Sequence, residues 1–238
     1  MARSIDLRHW ADPHDLLVLH DTRLLLYSTT SPPPWVTLAL QRAPMVVVRR
    51  APASGDLLPV GIRGPSRSQR CAAYLRIMSQ GIRRIPPEQL VTTQDRMRNQ
   101  RWRLIKAIQA LSELAPWLQA TELCWGPTGS VGFELASGVP TATTSSDLDL
   151  LVRAPQPLSW EMAKALHAHL AKVSVHTDVQ IETPCGAFAL AEYVQRWPGS
   201  QASILLRTTN GLKLVRNPWE STSHMYCPKD TYQARAGL

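Results

Sequence analysis

Apolar residues change their spacing along this chain, and the change falls near a proline pair. Before it they come as short runs bounded by Pro and Gly: Leu16–Leu19, the start of "MVVVRR" (45–50) and "LLPVGIRG" (57–64). β-Branched runs of this length predict strands. "SRSQRCAAYLRIM" follows, where Ala72, Leu75, Ile77 and Met78 suggest the apolar side of a helix. "SPPPW" (31–35) predicts a rigid turn. Residues 1–88 read as a small N-terminal α+β domain, with "IPPEQL" (85–90) as the linker that closes it.

From residue 89 the spacing is mainly helical, broken by single strands. Leu104, Ile108, Leu111, Ala115 and Leu118 place a helix in "TTQDRMRNQRWRLIKAIQALSELAPWL", with Thr92 or Thr93 as its cap and Asp95 in its first turn. Its front half carries Arg96, Arg98, Arg101, Arg103 and Lys106. "TELCW" predicts a strand, "VGFELA" a helix and "SSDLDLLV" a second strand. Leu158, Met162, Leu166 and Leu170 mark a further helix. Val173 to Glu182 alternates cleanly as a third strand, and "SILLRT" with "LKLV" forms a hairpin about Asn210–Gly211. Residues 89–238 thus read as a mixed sheet with packed helices, and the whole chain as α+β.

Composition narrows the field. The 238 residues are 44% hydrophobic, enough for an ordinary core. No apolar run is long enough to span a bilayer, and the charged N-terminus lacks the apolar core of a secretion signal. Cys71, Cys124, Cys185 and Cys227 are scattered, with no spacing that suits zinc, so a cytoplasmic protein with reduced thiols is expected. Cys124–Trp125 reads as buried strand. His167 and His169 lie i, i+2 on a helix and do not share a face. The net charge of +8 favours an anionic partner.

The sharpest signal is "SSDLDLLV". On a strand, residues i and i+2 share a face, so Asp147 and Asp149 project together while Leu148, Leu150 and Val152 face the core. Two carboxylates side by side next to a core are costly unless a cation neutralises them, and Mg2+ suits carboxylates plus phosphate oxygens. Asp178 lies mid-strand on the polar side of 173–182, where a neighbouring strand could bring it beside the pair. Three such carboxylates would hold two Mg2+ ions for an in-line phosphoryl displacement, and Asp178 could also accept a proton. Glu182 and His176 are weaker candidates. "GPTGS" is not a Walker loop, but Gly129 and Ser130 could approach phosphate oxygens. A solvated strand edge and a plain turn are the bland alternatives.

Glycine-serine after a strand, Asp-x-Asp on the next strand and a third carboxylate resemble the polymerase-β-like nucleotidyltransferase superfamily over residues 100–215. The order of "VVVRR", "PVGIRGPSRSQR", "GPTGSVGFELASG" and "SSDLDLLV" resembles one family within it. That family is the malonate decarboxylase holo-acyl-carrier-protein synthases, or phosphoribosyl-dephospho-CoA transferases. Two departures stand out: the stretch from Ser130 to Asp147 is long, and Gln180 occupies a position where the family pattern is acidic.

The resemblance implies a donor, 2′-(5″-triphosphoribosyl)-3′-dephospho-CoA, and an acceptor serine on the acyl-carrier protein subunit of malonate decarboxylase. Pyrophosphate would leave and Mg2+ would be the cofactor. Asp147, Asp149 and Asp178 would be the catalytic and metal-binding residues. Gly129, Ser130, Arg63, Arg67 and Arg70 would bind the substrate, and the Arg96–Lys106 cluster could dock the acidic carrier. Two other readings stand beside it. One is an enzyme of the same fold with an antibiotic or an RNA end as acceptor. The other is a non-catalytic nucleic-acid-binding protein, against which the lack of a helix-turn-helix, zinc finger or aromatic platform argues. No membrane partner is expected.

Overall fold

The computed structural model describes residues 10–28, 31–53, 55–77, 81–91, 99–196 and 202–220. Two six-stranded sheets dominate it. The first is antiparallel and contains β1 (Leu16–Leu19), β2 (Leu25–Tyr27), β3 (Met45–Val48), β4 (Leu57–Arg63), β5 (Arg70–Arg76) and β6 (Ile82–Ile85), in the order β2-β5-β4-β3-β1-β6. Helix α1 (Trp35–Arg42) covers one face, packing Val36 and Leu40 on Leu17, Val46, Val60, Ile62 and Leu75. Strands β3 and β4 alternate, so Met45, Val47, Gly61 and Arg63 turn to the opposite face.

Two N-terminal expectations change. "SRSQRCAAYLRIM" is not a helix: β5 pairs with β4 from Leu57↔Arg76 to Arg63↔Arg70. Ala72 and Leu75 match a helical period by coincidence, while Ala73 and Leu75 alternate onto the α1 face and are buried. Met78 lies outside the described residues. The prolines of "SPPPW" form the lead-in to α1, with Pro34 at its N-cap.

The second sheet contains β7 (Cys124–Pro127), β8 (Leu148–Arg153), β9 (Thr177–Thr183), β10 (Gly186–Ala189), β11 (Ile204–Thr208) and β12 (Gly211–Val215), in the order β12-β11-β10-β9-β8-β7. Only β8 and β9 are parallel, joined through α4 (Trp160–Leu170). Ser159 caps α4 by accepting from the Met162 N–H at 3.1 Å. Helices α2 (Lys106–Gln119), α4 and α5 (Leu190–Val194) bury Leu111, Leu118, Leu166 and Leu190 with Leu150, Val152, Ile181, Phe188 and Leu206 of the sheet. Helix α3 (Gly129–Ser137) leans the other way, and its Phe133 packs with Leu16, Met45, Ile85 and Leu90 between the two sheets.

The long N-terminal helix expected from residue 92 is shorter. Among the described residues it begins at Lys106, after a 3-10 turn at Trp102–Leu104 and an extended Ile105. Leu104, expected on the apolar face, is 71% exposed because it precedes the helix. Thr92, Thr93, Asp95, Arg96 and Arg98 lie outside the described residues. The stretch read as a linker is a 3-10 turn, Pro87–Leu90, with Pro87 and Leu90 buried. It crosses β7 so closely that a Cβ on Gly126 would fall 2.1 Å from the Pro87 carbonyl carbon, so position 126 admits only glycine. Beside it Trp125 is buried, but Cys124 is exposed and its thiol points to Glu88.

Candidate active site

Register places the carboxylates. The parallel β8–β9 pairing sets Asp149 directly opposite Asp178, Leu151 opposite Gln180 and Arg153 opposite Glu182. These residues share the face of the sheet that α2, α4 and α5 leave uncovered. Asp147 lies one residue before β8 and is half-buried. The Asp149 carboxyl is held above the ordinary carboxylate range, first by burial and then by the charges of Asp178 and Asp147, against the opposing pull of Arg67 and Arg63. Asp178 is largely exposed and lies 3.2 Å from His176. Among the described residues, no group of three or more His, Cys, Asp or Glu side chains is gathered closely enough to hold a metal ion unaided. The three carboxylates therefore form an open cluster rather than a closed cage.

The turn between β7 and α3 fits over this cluster. Gly129 has φ +60°, in the left-handed region, and a Cβ there would meet Asp149 Oδ2 at 1.9 Å. The Thr128 N–H donates to the Asp149 carbonyl at 2.8 Å, fixing the turn to the strand. Ser130 is buried in the first turn of α3, and its carbonyl accepts from the Thr141 hydroxyl at 2.9 Å.

The arginines approach from the first sheet. Arg63 and Arg70 are direct cross-strand partners on β4 and β5. Like charges in that arrangement repel, so an anion between them is stabilising. Burial comes first, and then Arg70, in holding the Arg63 pKa below its usual value, while Asp149 pulls the other way. The Arg63 Nε is buried with no hydrogen-bond partner. Arg67, in the β4–β5 turn, is 82% exposed and lies 3.5 Å from Asp147. A cleft of about 1030 Å³ opens between the sheets. Arg63, Arg70, Gly129, Asp149 and Asp178 line it; Arg67, Ser130 and Asp147 do not.

Two family models account for nearly all of this architecture. The N-terminal domain of phosphoribosyl-dephospho-CoA transferase MdcG matches residues 12–87, and its C-terminal domain matches residues 92–218. The chain belongs to the phosphoribosyl-dephospho-CoA transferase family. It is similar to proteins of that name from Pseudomonas putida (40% identical, covering 87% of this chain and 94% of the relative) and Azotobacter vinelandii (38%, covering 89% and 95%). A third, from Klebsiella pneumoniae, is 37% identical over 87% of this chain and 95% of its own. No solved structure matches the chain. Among the described residues, no helix is long and apolar enough to cross a membrane.

This transferase also carries residues at its cleft that sequence reasoning missed. His14 lines the cleft, and its Nε2 lies 2.9 Å from the Gln180 side-chain nitrogen. Burial, then Arg50 and Arg153, pushes its pKa down to about 4, so the ring is neutral at pH 7. Glu182, read as a weaker ligand, is instead buried in an ion pair with Arg50 and takes no part in the carboxylate cluster. Arg153 reaches Asp15 at 2.8 Å and also pairs with Glu88. Burial would lower the Arg153 pKa, but Glu88, Asp15 and Asp12 together hold it above its usual value. These buried pairs fasten the first sheet to the second. No local pattern announces them, because the partners are distant in sequence.

Glu134 on α3 is the other unforeseen residue. Its buried carboxylate accepts from Arg101 at 3.1 Å, from the Trp102 indole at 2.9 Å and from the Thr141 and Ala142 N–H groups, both at 2.8 Å. Arg101, expected on a docking helix, instead spends its guanidinium on Glu134 and the Ala142 carbonyl. Glu134 thereby holds the loop at Thr141–Ala142 against α3.

Proposed function

We propose that this transferase moves the phosphoribosyl-dephospho-CoA group from 2′-(5″-triphosphoribosyl)-3′-dephospho-CoA to a serine of the malonate decarboxylase acyl-carrier protein. The observation that carries the reading is a charge arrangement across one cleft. Asp149 and Asp178 stand side by side on one wall, and the cross-strand pair Arg63 and Arg70 stands on the other. A triphosphate with a divalent cation is complementary to both walls at once.

The residues suit Mg2+. The donors are carboxylate oxygens, and burial followed by the charges of Asp178 and Asp147 holds the Asp149 carboxyl above its ordinary range. An open cluster is what Mg2+ ordinarily uses, since it keeps waters and substrate phosphates among its ligands. Asp147 and Asp149, with Asp178 beside them, would hold it. When bound, the ion supplies charge neutralisation for the phosphate oxygens.

The remaining chemistry belongs to the chain. Arg63 and Arg70 grip phosphate oxygens as forked donors, and the Arg63 Nε gains the partner it lacks. Gly129 and Ser130 let the backbone turn approach the phosphates. The serine oxygen forms a bond to the α-phosphorus as the bond from that phosphorus to the β-phosphate oxygen breaks. Pyrophosphate leaves with that electron pair, and the serine proton passes to Asp178. Phosphoryl transfer of this kind needs positioning and charge neutralisation rather than covalent help from the protein.

Mass spectrometry of the apo carrier tests the reading, after incubation with the chain and donor in Mg2+ or in EDTA. The expected result is a mass gain on one serine that EDTA prevents. A verified donor and a folded chain that leave the carrier unmodified would overturn the acceptor assignment.

A further inference from the structure

The face that carries Asp149 and Asp178 does not end at the cleft. Registers continue it across the sheet: Arg153 pairs with Glu182, Glu182 with Ala187, Ala187 with Arg207 and Arg207 with Leu212. On the β7–β9 side the first sheet covers this face, through Arg153–Asp15, Arg50–Glu182 and His14–Gln180. At the β11–β12 end nothing among the described residues covers it. Leu212 is 65% exposed and Leu214 is 72% exposed. Leu205 pairs with Leu214 and joins them, and Arg216 follows on the same alternation. The opposite face of the same hairpin is ordinary core, with Ile204, Leu206 and Val215 buried.

Two leucines this open, side by side on the edge strand of a sheet, form a sticky surface that monomers usually avoid. Lys213 alternates onto the opposite face, but Arg207 and Arg216 give this one a positive charge. It is also continuous with the cleft, which Arg207, Thr208, Gly211 and Leu212 help to line. Strands lie about 4.8 Å apart, so β11 is only about 10 Å from β9 and Asp178.

We propose that this β11–β12 platform is the docking surface for the acceptor, an acidic protein that seats apolar side chains on Leu205, Leu212 and Leu214. Carboxylates on its rim face Arg207 and Arg216, and its serine reaches into the cleft. The inference rests on the acceptor being a protein, as proposed above, and it moves the docking site away from the 96–106 cluster, whose Arg101 is spent on Glu134. A partner held this way is steered by charge and gripped by apolar contact.

The test uses the full chain carrying Leu214→Ser with Arg216→Glu, both exposed positions outside the cleft lining. Carrier binding is titrated by calorimetry without donor, and transfer is followed at saturating donor with varied carrier. The expected result is at least a tenfold rise in the dissociation constant and in the carrier KM. Donor KM and melting temperature stay unchanged, and wild-type carrier KM rises with salt. Unchanged carrier KM and binding would overturn the platform while leaving the transferase reading intact. A wild-type chain that neither binds nor modifies the carrier would overturn both. A wild-type dimer that the double variant converts to monomer would give the surface to a second copy instead. Hydrogen-exchange protection of 212–215 that vanishes on removing residues 221–238 would give it to the chain's own C-terminal segment. Either outcome also overturns the proposal.

Discussion

A Cβ on residue 129 would lie 1.9 Å from Oδ2 of Asp149, so this position gains a side chain only by displacing that carboxylate. The turn that opens α3 and the strand that carries the carboxylate are thus fitted to one another. Gly129→Ala must push Asp149 aside and adopt a left-handed φ, a backbone cost of about 1–2 kcal/mol. The expected outcome is a folded protein whose transfer rate falls on the order of 100-fold, as small displacements at a reacting centre do. Circular dichroism and steady-state kinetics check it together.

Asp149→Asn separates stability from chemistry. The native Asp149 pKa is raised, so the folded state holds the proton more tightly than the unfolded state does. The stability tied to this group is present at low pH and lost as pH rises through the native pKa. The neutral amide escapes that loss. At pH 8 without divalent cation, the variant should melt above wild type. The gap should narrow as pH falls toward 4, and at no pH should transfer remain. Calorimetric scans at the two pH values with a transfer assay decide it.

Arg50→Met strands a buried carboxylate. Burial already raises the Glu182 pKa, and Arg50 is the first group opposing that rise. Breaking a buried pair from one side costs about 3–5 kcal/mol. Glu182 escapes by taking a proton as pH falls through its raised native pKa. Urea titrations should therefore show a larger loss at pH 8 than at pH 5. Equal losses at both would mean that Arg50 acts through packing rather than charge.

Arg63→Ala removes the buried Nε that lacks a partner and relieves the repulsion with Arg70. The free protein should be no less stable. Donor KM should rise about 10- to 100-fold, in line with about 1.5–3 kcal/mol for hydrogen bonds to a charged group. Tripolyphosphate should raise the wild-type melting temperature and not that of the variant. Arg67→Ala, at a position 82% exposed, should have the smaller effect on donor KM.

Much of this arrangement is legible from the chain alone where the information is local. The period-2 alternation of β8 and β9 turns Asp149 and Asp178 to one face, and the Asn210–Gly211 turn pair closes a hairpin, while Asp147 lies just before β8. The helical spacing of Met162, Leu166 and Leu170 holds for the same kind of reason, while Leu158 stands before the Ser159 cap. Misreadings come where two periods fit equally well. Ala72 and Leu75 fit a helix, Ala73 and Leu75 fit a strand, and only pairing with β4 decides between them. Leu104 continues the apolar period of α2 but stands before its start.

Other features have no sequence signature at all. That Arg63 faces Arg70, that His14 meets Gln180 and that Glu182 is neutralised by Arg50 depends on strands and sheets brought together from distant parts of the chain. The sequence by itself determined the α+β class, the carboxylate-bearing strands and the family, because periodicity and motif order are local properties. Only the tertiary structure decided which face stays open, which charges are buried against one another and where a partner can approach. Those outcomes depend on non-local contacts, whose electrostatic and packing energies exist only once the two sheets face each other.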